Sequence, residues 1–128
     1  MFENSELFPM GTSVNTSGNL EISGCDSIDL IKQFGSPLYV YDESTIRHMA
    51  QAFIKEFTNL YLNTSVSYAS KAFLNKYIAQ IANEESLWLD VVSGGEIAVA
   101  KSGGFPTSKM DFHGNNKSPT ELSDAIDL

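Results

Sequence analysis

The chain has a single cysteine, Cys25, so no disulfide can form within it. Chains without disulfides are the rule in reducing compartments, and an intracellular, cytoplasmic setting is the expectation this leaves. No apolar run reaches the roughly 18 residues that a bilayer-spanning helix requires, so no membrane partner is expected. The first residues, MFENSELFPMG, lack a basic stretch followed by an apolar block, which argues against a secretory signal. Basic residues are also scarce: 8 Lys and Arg stand against 16 Asp and Glu, for a net charge of −8. A surface of that sign repels phosphate backbones, which argues against a nucleic-acid partner and otherwise serves solubility.

What remains is an ordinary globular composition, 42% apolar, in a chain of 128 residues. That length suits one modest domain able to bury roughly two-thirds of its unfolded surface.

Residues 1–18 are rich in Ser, Asn, Thr and Gly and read as a tail or loop. Asn19 to Ile22 suits a short strand. Asp26 is placed to cap a short helix whose apolar side is Ile28, Leu30, Ile31 and Phe34, with Gly35 as its stop. Pro37 to Tyr41, aromatic and β-branched, predicts a strand. Asp42 or Ser44 caps the next helix, where Ile46, Met49, Phe53, Phe57 and Leu60 recur at three or four residues and predict one buried face.

After that the rhythm changes. Strands are predicted at 65–69, 87–92 and 110–113, with helices over 73–83 and 96–101 between them. A further helix starts at Pro119, with Ser118 as cap and Glu121 three residues on as in a capping box. Strands and helices alternating at about twenty-odd residues build parallel sheets or barrels, with all strand C-terminal ends on one side.

Lys71 follows the first of these strands, Asp90 lies late in the second, and His113 ends the third. Equivalent places in successive units bring such groups toward one another, as at the C-terminal mouth of a barrel. Polar residues at strand ends also arise simply because strands end in water. Alternation places Ser67, Ala69 and Lys71 on one face, which clears room for a flat cofactor. A confined lysine loses part of its proton affinity, which favours imine chemistry, whereas a snorkelling lysine at a strand end has no such role.

Four segments match one family in order and spacing. Tyr68-Ala69-Ser70-Lys71-Ala72-Phe73 resembles the cofactor-lysine motif of the fold-type III pyridoxal-phosphate (PLP) dependent decarboxylases, and Leu89 to Glu96 resembles their second-strand motif. Phe112-His113-Gly114-Asn115-Asn116-Lys117-Ser118 resembles the third-strand motif as found in the diaminopimelate decarboxylases. Pro37 to Asp42 resembles the segment leading into the barrel. The resemblance covers roughly residues 26–128.

The resemblance implies an α/β fold: the N-terminal part of a PLP-binding (β/α)8 TIM-like barrel over 42–128, with residues 1–41 leading a second β-domain. It implies pyridoxal 5'-phosphate as cofactor, held covalently by Lys71, with Asp90 beside it and His113 and Asn115 lining the pocket. Ser93 and Glu96 would orient the loop and the following helix. The implied reaction is decarboxylation of meso-2,6-diaminopimelate to L-lysine and CO2, in a homodimer acting on an amino-acid substrate. A sister enzyme acting on ornithine, arginine, D-amino acids or carboxynorspermidine is the near alternative; a non-catalytic PLP-binding barrel and a plain α/β interaction module are the distant ones. Two positions depart from the family, which often has Gly near Ser86 and a small or variable residue near Trp88. A closed barrel takes roughly 250 residues, and the family's phosphate loop and pyridine-facing acid have no counterpart here. The chain is therefore expected to be part of a longer protein and inactive alone.

Overall fold

The computed structural model describes residues 2 and 4–128. They form two compact units, divided between Met49 and Ala50.

In the first unit, three short strands make an antiparallel sheet in the order β1 (Thr12–Val14), β2 (Leu20–Ile22), β3 (Cys25–Asp26). Thr12 pairs with Ile22 and Val14 with Leu20. β2 is the strand expected at 19–22. β1 corrects the expectation of a structureless tail over 1–18. Asn15 supplies the missing signal: its Oδ1 accepts from the N–H groups of Ser17 and Asn19, each at 3.0 Å, and closes the turn that brings β1 beside β2.

Helix α1 (Ser27–Phe34) starts where expected. Asp26 Oδ1 accepts from Ile28 N at 2.7 Å, and the helix stops at Gly35, whose φ of 85° is left-handed. The second Asp26 oxygen accepts from Asn19 Nδ2 at 2.9 Å and Asn15 Nδ2 at 2.6 Å. These bonds, that of Asn19 foremost, hold the Asp26 carboxyl below the usual carboxylate range.

Pro37 to Tyr41 is not a strand, contrary to expectation. Strand-forming residues need a ladder partner, and among the described residues the sheet of this unit ends at β1 and β3. Leu38, Tyr39 and Val40 accordingly stay exposed.

Asp42, not Ser44, caps helix α2 (Glu43–Leu60). Its carboxylate accepts from Thr45 N at 3.1 Å and from the hydroxyls of Thr45, Ser23 (2.7 Å) and Ser44 (2.8 Å). These donors, the Thr45 hydroxyl first and Ser23 next, push the Asp42 carboxyl far below its ordinary value. Gly11 lets Ser23 approach: a Cβ there would lie 2.3 Å from Ser23 Oγ.

The face of α2 predicted to be buried is not. Met49, Phe53, Phe57 and Leu60 are exposed, with Phe53 and Phe57 stacked at 6.4 Å. The buried line is Ala50 and, beside it, Ile54, both packed on the core of the second unit. The helix carries two apolar stripes, and periodicity alone gave the wider one.

In the second unit, β4 (Ser67–Ala69), β5 (Trp88–Val91) and β6 (Met110–Phe112) form a parallel sheet in that order. Helix α3 (Lys76–Glu84) links β4 to β5, α4 (Gly94–Ser102) links β5 to β6, and α5 (Pro119–Ile126) follows. The alternation of strands and helices is as predicted. Helix α3 starts later than the expected residue 73, because Asn75 is its cap and accepts from Ile78 N at 2.8 Å. Helix α5 begins at Pro119 with the expected Ser118–Glu121 capping box.

The core lies on one face of this sheet. Leu89 and Val91 are fully buried against Ala79 and Ala82 of α3 and Ile97 and Ala100 of α4. Burying each of these β5 side chains stabilises the fold by about 1.5–3 kcal/mol. Gly103 permits the close approach of α3 to the end of α4: a Cβ there would meet the Lys76 carbonyl at 2.8 Å.

Candidate active site

The period of two along a strand sends Leu89 and Val91 into the core and Trp88 and Asp90 to the opposite face. Register then decides the neighbours of Asp90: Ala69 on β4 and Asp111 on β6. This face forms an open cleft of about 490 Å³ lined by Ser67, Ala69, Asp90, Asp111, Phe112 and His113. The volume falls within the roughly 300–1,000 Å³ usual for small-molecule sites.

His113 is the first residue beyond β6, not its last. Its N–H still donates to the Val91 carbonyl at 2.8 Å, which carries the ladder one step further. Its Nδ1 stands 3.5 Å from Asp90 Oδ1; the His113 side chain is 70% exposed and that of Asp90 23%. Two of the expected site residues are therefore adjacent.

Lys71 lies in the turn that follows β4. Alternation along the strand stops at Ala69, so the reading that put Ser67, Ala69 and Lys71 on one strand face holds only for the first two. Ser70 N donates to the Asp90 carbonyl at 3.0 Å, and Ala72 N donates to the Ala69 carbonyl at 3.0 Å. Lys71 projects from that turn and is exposed, so in this chain the confinement expected around it is absent; it is not among the residues lining the cleft. Ser70 beside it is 2% exposed, and its Oγ has no hydrogen-bond partner among the described residues.

Asn115 is exposed, in the loop after β6, and also outside the cleft lining. That loop is shaped by Lys117, whose Nζ donates to the Gly114 carbonyl at 2.7 Å and sits 4.7 Å from the centre of the Phe112 ring.

Ser93 and Glu96 organise the exit from β5. Ser93 Oγ accepts from Glu96 N at 3.2 Å and caps α4, while Glu96 Oε2 accepts from Val92 N at 2.8 Å. Glu121 adds a tie from α5. It accepts from Ser118 N at 2.9 Å and Gly94 N at 3.3 Å, and these backbone donors lower its pKa.

Asp111 escaped the reading by motif. Its Oδ2 lies 3.5 Å from Ser67 Oγ, and it stands in register with Asp90. Strand alternation with the β5–β6 register would have found it. Among the described residues no group of three or more His, Cys, Asp or Glu side chains is arranged to hold a metal ion, and no helix is long and apolar enough to cross a membrane.

Residues 43–128 match the family described as "Pyridoxal-dependent decarboxylase, pyridoxal binding domain". The chain is 51% identical over 116 residues to the diaminopimelate decarboxylase of Bacillus methanolicus, covering 91% of this chain and 27% of that protein. It is 48% identical over 122 residues to the diaminopimelate decarboxylase of Bacillus subtilis, covering 94% of this chain and 28% of that one. The crystal structure of the diaminopimelate decarboxylase "from m. jannaschii in co-complex with L-lysine" superposes with a TM-score of 0.79 at 33% identity, over 92% of this chain and 28% of its own. This chain thus spans little more than a quarter of the length of these relatives. With a family match over 43–128 and the α/β architecture of the N-terminal part of the barrel, the chain belongs to the pyridoxal-dependent decarboxylases.

Proposed function

We propose that this chain carries the cofactor-anchoring part of a diaminopimelate decarboxylase, which converts meso-2,6-diaminopimelate to L-lysine and CO2. The observation that carries the reading is the join between β4 and β5. The Asp90 carbonyl holds Ser70 N at 3.0 Å, so the turn bearing Lys71 and the strand bearing the Asp90 carboxylate are fastened at one step. The identity of 51% to a protein of that activity supports the substrate, and the L-lysine complex of a relative supports the product.

The residues present fit pyridoxal phosphate. Ser67 and Ala69 are small and leave the strand face open beside a flat ring, and Lys71 supplies a primary amine on an exposed turn. When bound, the cofactor supplies the electron sink that lets a carboxylate leave as CO2 while a proton takes its place. Lys71 would hold the cofactor covalently through its amine. Asp90 would place a negative charge beside it, His113 would flank Asp90, and Asn115 would border the pocket from the loop after β6. Ser93 and Glu96 would hold the loop after Asp90 and the start of α4 in place.

Residues 42–128 would form the first βα units of the barrel, and residues 1–41 would lead a second β-domain. The antiparallel β1–β3 sheet supports the latter. A cytoplasmic homodimer completes the proposal. Full-length protein supplied with PLP should release CO2 from meso-diaminopimelate faster than from ornithine, arginine, D-amino acids or carboxynorspermidine. Preference for one of those identifies a sister enzyme, and release from none identifies a non-catalytic PLP-binding barrel.

A further inference from the structure

We infer that Tyr68 is a positioning residue for Lys71, acting through a hydrogen bond from its hydroxyl to the carbonyl of Phe73. This rests on the reading that Lys71 holds the cofactor.

Tyr68 points to the core side of β4, in register with the fully buried Leu89. A phenylalanine would supply the same apolar ring there. The hydroxyl donates to the Phe73 carbonyl at 2.6 Å, in a partly buried setting. That bond spans the stretch between the strand and the residues leading into α3, with Lys71 near its middle.

Backbone bonds hold the turn as well. Ser70 N is held by the Asp90 carbonyl and Ala72 N by the Ala69 carbonyl, both at 3.0 Å. Tyr68 fixes the far end. The first two bonds tie the turn to the sheet, and neither restrains the chain after Ala72. Without the Tyr68 hydroxyl, the segment from Ala72 to Asn75, where the cap of α3 takes over, would have one fewer restraint at its start. An exposed lysine gains nothing from burial to hold its direction, so its backbone has to do so. Pre-set backbone direction lowers the ordering cost of attaching a ligand.

The test is Tyr68→Phe in the full-length protein, which keeps the ring and removes the hydroxyl with its bond to the Phe73 carbonyl. Two quantities decide it: hydrogen exchange in the 72–75 segment without cofactor, and the equilibrium constant for PLP. Both should change by about three- to tenfold, the range of one net hydrogen bond, while β5 amides keep their protection. Loss of β5 protection in step with the turn would make Tyr68 a general packing residue and overturn the inference. So would faster exchange in the turn with an unchanged PLP constant, or no change in either. Lys71→Ala separates the underlying reading. If that variant still gives a borohydride-stable PLP adduct at full yield, Lys71 is not the anchor, whatever Tyr68→Phe does to the turn.

Discussion

His113 Nδ1 and Asp90 Oδ1 face each other at 3.5 Å where β6 and β5 end, and Asp90 is the more enclosed of the two. A charge that water screens less interacts more strongly with a bound partner. Asp90 should therefore matter more than His113 to whatever occupies the cleft.

That ordering is testable in the full-length protein. Asp90→Asn keeps the shape and removes the charge, and should weaken PLP binding about tenfold or more, the scale of a charge-assisted hydrogen bond. His113→Ala should cost less. Equilibrium titration of PLP measures both, and an equal or larger loss for His113→Ala reverses the assignment.

Acid should destabilise the first unit through Asp42. Its folded carboxyl binds a proton more weakly than the ordinary value near 3.8, so the unfolded chain takes up more protons as pH falls. The stability that Asp42 contributes is present above about pH 4, the range of an unfolded aspartate, and is lost as pH drops toward the folded value. Asp42→Ala should lower stability at neutral pH by about 0.5–2 kcal/mol, as for a lost helix cap. It should also flatten the fall below pH 4. Melting temperatures from pH 2 to 7 for both proteins check this; parallel curves would contradict it.

Ser86 has a φ of 62°, in the left-handed region that costs a residue with a Cβ about 1–2 kcal/mol. A glycine at this position would avoid the strain. Ser86→Gly should raise stability by about 0.5–1 kcal/mol once the greater freedom of glycine in the unfolded chain is set against the gain. Chemical denaturation measures it, and a loss of stability would show that the strain is relieved in some other way.

Gly103→Ala should do the opposite. Its Cβ would lie 2.8 Å from the Lys76 carbonyl and 3.1 Å from Ala79 Cβ. Both belong to a helix packed on the core, so the cost should be about 1–3 kcal/mol. Denaturation midpoints check it, and an unchanged midpoint would mean that α3 and α4 separate freely.

Much of this fold was legible in the sequence because local signals decided it. Asp26 with Gly35, and Ser118 with Glu121, mark the ends of α1 and the start of α5 through backbone bonding within a few residues. The parallel units followed from strand and helix alternation. What escaped depends on neighbours. Leu38 to Val40 have strand-forming residues and no strand beside them. Phe53 and Phe57 form an apolar stripe, yet Ala50 and Ile54 are what the core takes up. Asp111 joins Asp90 only through the register of β5 and β6, and Lys71 leaves the strand face because the Ala69–Ala72 bond turns the chain first. Strand-end spacing and the family motifs both pointed to Lys71, Asp90 and His113; the last two line the cleft, and the first stands on the turn after β4.

The central claim is that Lys71 anchors the cofactor. Full-length protein loaded with PLP, reduced with borohydride and digested, should yield a single modified peptide, and mass spectrometry should place the pyridoxyl group on Lys71. A pyridoxyl group on another lysine, with Lys71 unmodified, would contradict the account.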